Sequence, residues 1–270
     1  MNLSNLFNEI ESVDPEIYDR MDARRGVINR FARVGTRLAT AAVPVALGGL
    51  FNKAYGQKVS SDVLEVLNFA LTLEHLESRF YQTAVGTPGL LPAKDKINVI
   101  RDHEVQHVKF LQQTITSAGG TPVAEGKYDF TGKGTFPAVF SDYKQFLQVA
   151  QAFEDTGVGA YKGQASELKS SNDILTAALR IHSMEARHAA HIRFIRMVNG
   201  YAKIKPWIVG DDNSKGTPFE RIYQRESDHR QVVINIEGIG GYNVGNAATS
   251  SFDEPLHKDE VMAIVKPFLA

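Results

Sequence analysis

Two Glu-x-x-His pairs mark the sequence, Glu104 with His107 and Glu185 with His188. Residues three apart on a helix share a face, so each pair can bring a carboxylate and an imidazole to one point. A lone glutamate precedes each pair, Glu74 by thirty residues and Glu154 by thirty-one. Seven residues after each lone glutamate stands a tyrosine, Tyr81 and Tyr161. One glutamate from each of two helices plus a Glu-x-x-His from each of two others is the ligand set of dimetal carboxylate sites in helical bundles. Four carboxylates balance two divalent cations, which offsets a burial that would otherwise protonate them. Oxygen and nitrogen donors together suit iron or manganese. The doubling gives the pattern its weight; a single Glu-x-x-His carries little.

Composition narrows the alternatives. The chain has no cysteine, which excludes disulfides, thiolate zinc sites, iron–sulfur clusters and cysteine nucleophiles. Any metal must therefore rest on Asp, Glu and the eight histidines. Thirty basic against thirty-one acidic side chains leave a net charge of −1, with no electrostatic footprint for nucleic acid or an acidic membrane.

The elements that must carry the six residues follow from helical periodicity. The first helix runs from Ser61 to a stop at Gly86, with Val63, Leu67, Ala70, Leu71, Glu74, Glu77 and Tyr81 on one side. Further helices are expected over about 94–117, 141–168 and 173–198, with a Gly- and Pro-bearing connection over 121–137. Two antiparallel hairpins joined by one long crossover make the ferritin-like variant of the four-helix bundle. The fold class is therefore all-α: residues 58–200 form the bundle and residues 201–270 an irregular carboxy-terminal extension packed on it. That extension has a strand at Val232–Ile236 and a helix over about 258–265.

Residues 1–57 read as an export signal or an arm. Arg24 and Arg25 precede an apolar run from Leu38 to Phe51, and the pair resembles a twin-arginine signal. At ~1.5 Å per residue that run is too short to cross a hydrocarbon core ~30 Å thick, so no transmembrane helix is expected. Export, to the periplasm, is the expected location. The acidic residues before Arg24 keep open an uncleaved arm on a cytoplasmic protein.

Several features have competing readings. His103-Glu-Val-Gln-His107 also fits the zinc-protease pattern, with both histidines as ligands and Glu104 as base, but that leaves Glu74, Glu154 and Glu185 unexplained. On the dimetal reading His103 sits one position off the ligand face. Glu77 shares the face of Glu74, yet its counterpart after Glu154 is Gly157, so it reads as an acceptor behind the ligands or a substitute for Glu74. Tyr81 and Tyr161 could hydrogen-bond the ligating carboxylates or simply pack. His182 and His191 flank the Glu185–His188 face. Gly157, Gly159 and Gly163 lie inside a helix and point to close approach of another helix. The glycines from Gly238 to Gly241 lack the following helix a dinucleotide site needs. Pairing of the glutamates with arginines such as Arg187 would make the bundle metal-free, but core arginines are expected to be too few.

The segments LEHLESRFY (73–81), HEVQH (103–107), FEDTGVGAY (153–161) and MEARH (184–188) resemble the ferritin-like superfamily. More narrowly, the chain is similar to bacterial ferritin-like domain proteins related to desiccation-associated proteins, which share a segment like FDEPL (252–256) and a last helix. The resemblance implies a carboxylate-bridged centre of two iron ions, or alternatively manganese. Glu104 and Glu185 would bridge, Glu74 and Glu154 would be terminal or chelating, and His107 and His188 would bind one ion each. The expected chemistry is redox with oxygen or peroxide and Fe(II), ferroxidase- or catalase-like, with no catalytic residue assigned. A homo-oligomer is expected, but the long crossover and large tail argue against a closed storage shell. The alternative is a structural or stress-protective envelope protein with a non-catalytic bundle.

Overall fold

The computed structural model describes residues 59–212, 214–231, 234–239 and 247–270. The expected export signal, the start of the expected strand (Val232 and Val233) and most of the glycine run after Gly238 lie outside them. Four long helices dominate: α1 (Ser61–Val85), α2 (Ile97–Ser117), α3 (Tyr143–Gln164) and α4 (Asn172–Val198). Local chemistry sets their ends. Ser60 caps α1 by accepting the Val63 N–H at 3.4 Å, and Asp142 caps α3 by accepting the Lys144 N–H at 3.0 Å, each worth about 1 kcal/mol. The second helix starts later than its periodicity implies, because a 3₁₀ turn at Ala93–Asp95 and a left-handed Lys96 precede it. A 3₁₀ turn, Ala165–Leu168, also replaces the last turn expected of the third helix. No helix among the described residues is long and apolar enough to cross a membrane.

α1 pairs with α2 and α3 with α4, so the bundle is two hairpins joined by the crossover. Its interior has three layers. At one end the crossover inserts Phe130, Phe136 and Phe140, and Phe80 stacks on Phe146 at 5.1 Å and meets Phe153 edge-on at 5.0 Å. At the other end Val63, Leu67, Leu71, Leu111, Ile115, Ile174 and Ile181 form an aliphatic cluster. Each large apolar side chain buried there contributes about 1.5–3 kcal/mol. The layer between these ends is polar and holds the glutamates and histidines of the motif.

The extension follows as α5 (Glu220–Tyr223), a ribbon of β1 (Arg230–Gln231) with β2 (Ile234–Asn235), and α6 (Lys258–Val265). Among the described residues of the expected strand, Ile234–Asn235 form β2, and the Ile236 N–H donates to the His229 carbonyl at 2.9 Å. The segment before α6 lies on α3: the Leu256 N–H donates to the Gly159 carbonyl at 2.9 Å. A Cβ at Gly163 would sit 2.0 Å from the Leu256 carbonyl oxygen, and one at Gly159 would sit 2.8 Å from the Leu256 side chain. Close approach is thus what these two glycines permit, but the partner is an extended strap and not a helix. Beyond α6, the Asp129 N–H donates to the Phe268 carbonyl and the Ala270 N–H to the Lys127 carbonyl, which ties the carboxy terminus to the crossover.

Two buried carboxyl groups stand at the strap. Glu226 accepts the Glu254 N–H with one oxygen, while its other oxygen and Asp253 Oδ2 are buried without hydrogen-bond partners. Burial, and then Asp253, Glu254 and Asp155, push the Glu226 carboxyl up to about 8. Burial, and then Asp155, push Asp253 up to about 7 against the pull of Lys162 and Arg193. The folded chain therefore holds protons that the unfolded chain releases near the ordinary carboxylate value. Stability is fullest below that value and is lost as pH rises through about 7 to 8. Thermal melts of the metal-free protein are expected to fall in midpoint between about pH 6 and pH 9, with a smaller fall in Glu226→Gln. An unchanged slope in that variant would contradict the assignment.

Candidate metal centre

The polar layer is built by one turn from each long helix. α1 supplies Glu74 and Glu77, α2 supplies Glu104 and His107, α3 supplies Glu154, and α4 supplies Glu185 and His188. Glu74, Glu104, Glu154 and Glu185 are fully buried. Helical spacing puts each pair on one face, and the antiparallel hairpins bring the faces to one level.

Six of these residues converge as two overlapping groups, Glu74, Glu104, His107 and Glu185, and Glu104, Glu154, Glu185 and His188. In each group one donor atom per residue lies within 4.8 Å of all the others. Glu104 and Glu185 belong to both. His107 Nδ1 lies 3.2 Å from Glu74 Oε2, 3.2 Å from Glu104 Oε2 and 3.1 Å from Glu185 Oε1. His188 Nδ1 lies 2.8 Å from Glu104 Oε1 and 3.4 Å from Glu154 Oε2. Yet His188 Nδ1, Glu104 Oε1, Glu154 Oε2 and both Glu185 oxygens lack a properly directed hydrogen bond. Close polar atoms without hydrogen-bond alignment are what donors sharing a cation present, so the set fits a metal pair.

The tyrosines cross over between hairpins. Tyr161 of α3 donates to Glu74 Oε1 at 2.5 Å, and Tyr81 of α1 donates to Glu154 Oε1. Each phenol occupies one carboxylate oxygen and leaves the other facing an imidazole.

Charge in this layer is distributed among the protein's own groups. Burial drives Glu74 well above the usual carboxylate range and Glu154 to about 8, although His107 and His188 pull the other way. Burial also pushes Glu104 and Glu185 upward, but contacts with His107 and His188 outweigh it and hold both below the usual value. The histidines respond in kind. Burial lowers both, yet Glu74 and Glu104 hold His107 well above its ordinary value, and Glu154 leads the groups that raise His188 to about 12. The imidazoles are thus held up and the shared carboxylates held down by one another, and divalent cations would compete with the protons between them.

Glu77 lies outside both groups. Its carboxyl is buried and pushed well above the usual carboxylate range by that burial and then by Glu185, and it faces Gly157, where a Cβ would sit 3.3 Å from Glu77 Oε1. Gly157 therefore makes room for carboxylates: Glu185 Oε2 would also lie 3.4 Å from that Cβ.

His103 is the functional neighbour that periodicity missed. It lies off the ligand face, as expected, but its Nδ1 is 2.9 Å from His188 Nε2, and the two rings stack. Burial, and then His188, keep His103 below its ordinary value, so it is neutral and can accept the His188 Nε2–H. That bond would leave His188 Nδ1 as the atom facing the carboxylates. The zinc-protease alternative, set aside in the sequence, gains no support here, since His103 joins neither group. Only its adjacency to Glu104 signalled it in the sequence. His191 bonds the Asp95 carbonyl at 2.7 Å, and His182 lines a groove beside the extension.

The expected shortage of core arginines needs one amendment. Arg193 is 1% exposed, but it pairs with Asp155 and Asp212 and not with any glutamate of the layer, while Arg187 is exposed.

Residues 62–197, just over half of the chain, match the family model described as a ferritin-like domain, and the match spans α1 to α4. No curated protein matches the chain.

Proposed function

The chain belongs to the ferritin-like domain family, and on that basis we propose that its polar layer holds two transition-metal ions, iron in preference to manganese, for redox chemistry with oxygen or peroxide. The observation that carries this reading is the pair of four-donor groups sharing Glu104 and Glu185. Glu104 and Glu185 would be shared by the two ions, Glu74 with His107 would complete one ion's set, and Glu154 with His188 would complete the other's. When bound, such a pair supplies electrons to an oxidant and orients it.

The remaining work is done by the side chains. Tyr161 and Tyr81 hold Glu74 and Glu154 in place and restrict each to one free oxygen. His103 fixes the His188 ring and its tautomer. The phenylalanine layer, with Phe80, Phe130, Phe146 and Phe153 in ring contact, closes one end of the centre to water. Export through a twin-arginine route, if residues 1–57 direct it, would suit a cofactor inserted before the folded chain crosses the membrane.

Anaerobic loading with Fe(II), metal analysis and then admission of oxygen test the reading. The expected result is about two ions per chain and oxygen consumption coupled to iron oxidation. A stoichiometry far below that overturns the metal centre. Full loading with no oxidation by either oxygen or peroxide overturns the redox assignment and leaves the scaffold alternative.

A further inference from the structure

The aliphatic end of the bundle is not fully packed. A cavity there is walled by all four long helices, among them Leu67 and Ala70 of α1, Leu111 of α2, Tyr161 of α3, and Ala178 and Ile181 of α4. It has about 20 Å³ of space for the centre of a water-sized sphere, enough for one small molecule. Its walls offer that molecule almost no polar partner. The Thr114 hydroxyl is spent on the Phe110 carbonyl at 2.8 Å and the Tyr161 hydroxyl on Glu74. Gln164, half-buried, is the other wall residue with a polar side chain. Water needs two to four such partners to stay in a cavity, so this one favours a nonpolar occupant.

Its position gives the occupant a destination. Ala70 lies one turn from Glu74, Leu111 one turn from His107, and Ile181 one turn from Glu185, a rise of about 6 Å in each helix. Tyr161 forms part of the wall and also holds Glu74.

We infer that this cavity is a holding site for dioxygen, placed to deliver it to the Glu74 and His107 side of the polar layer. Delivery rests on the redox reading above; occupancy by a small nonpolar molecule does not. Xenon is therefore the probe, applied under pressure to crystals of the full chain and followed in solution by ¹²⁹Xe NMR. The expected result is one xenon among Leu67, Leu111, Ala178 and Ile181 in the wild type, and none in Ala178→Leu, whose side chain fills the space. At equal iron content that variant is expected to consume oxygen severalfold more slowly. Ala178→Val, a smaller filling, replaces it should the leucine disturb the helices.

Absence of xenon from the wild-type cavity, or ordered water in its place, overturns the inference. So does a filled variant that loses xenon but consumes oxygen at the wild-type rate. Xenon binding in a wild type that never consumes oxygen refutes the redox reading and the delivery role together, and shows the cavity to be a nonpolar void.

Discussion

Glu104→Ala is expected to leave the chain without bound cations, whereas Glu74→Ala keeps about one of the two. The asymmetry follows from sharing. Glu104 and Glu185 each belong to both four-donor groups, while Glu74 belongs to one and Glu154 to the other. Removing a shared carboxylate takes a donor and a negative charge from both positions; removing Glu74 spares the set made by Glu104, Glu154, Glu185 and His188. A third class of variant falls between wild type and these. Tyr161→Phe and His103→Ala leave every donor in place and disturb only its orientation, which costs metal affinity by about 10–100-fold. Titration with Fe(II) under anaerobic conditions, read by metal analysis and by the rise in melting temperature, ranks the four. At a free metal concentration 100 times the dissociation constant the wild type gains about 2.7 kcal/mol, a gain that Glu104→Ala is expected to lack. Equal stoichiometry in Glu104→Ala and Glu74→Ala would refute the bridging assignment.

Arg193→Ala is expected to cost about 3–5 kcal/mol of stability, because it strands two buried carboxylates. The Arg193 guanidinium meets Asp155 with two nitrogens, at 2.9 and 2.6 Å, and Asp212 with a third at 3.0 Å. Tyr223 donates to Asp155 at 2.5 Å and accepts from Gln151 at 3.0 Å. Asp155 belongs to α3, Arg193 to α4, and Asp212 and Tyr223 to the extension, so this cluster joins the second hairpin to its cover. Even with Arg193 present, burial raises Asp212 to about 6. Arg193→Lys is expected to recover little, since an ammonium cannot reproduce the fork on Asp155. Arg187→Ala, on the exposed side of the same helix, should stay within about 0.5 kcal/mol of wild type. Urea unfolding midpoints measure all three, and limited proteolysis after residue 200 reports loosening of the extension. A loss under about 1 kcal/mol in Arg193→Ala would show that the cluster is not what fastens the cover.

The metal-ligand set and the Arg193 cluster both draw on α3 and α4, yet only the first was legible in the sequence. Glu74, Glu104, His107, Glu154, Glu185 and His188 announce themselves because their relations are local. Three residues make one helical face, and a hairpin repeated at thirty and thirty-one residues brings two such faces to one level. Helix order, the long crossover and the short last helix rest on the same local periodicities, capping residues and glycine stops. Residues 62–197 accordingly match a family model on sequence alone.

Tertiary structure decided which side chains meet across elements that no periodicity relates. Tyr81 and Tyr161 each follow a glutamate by seven residues but bond the other hairpin's glutamate, which depends on the offset between α1 and α3. His103 lies off the ligand face of its own helix and still reaches His188, because α4 passes at the right height. Gly159 and Gly163 admit a strap from about a hundred residues later. Nothing local marks Arg193 as buried; its place in the core depends on Asp155 of α3 and on Asp212, which comes from the extension. A helix dictates which of its residues share a side. What stands opposite that side depends on crossing angles and on the path of the chain, which are set only when the whole core packs.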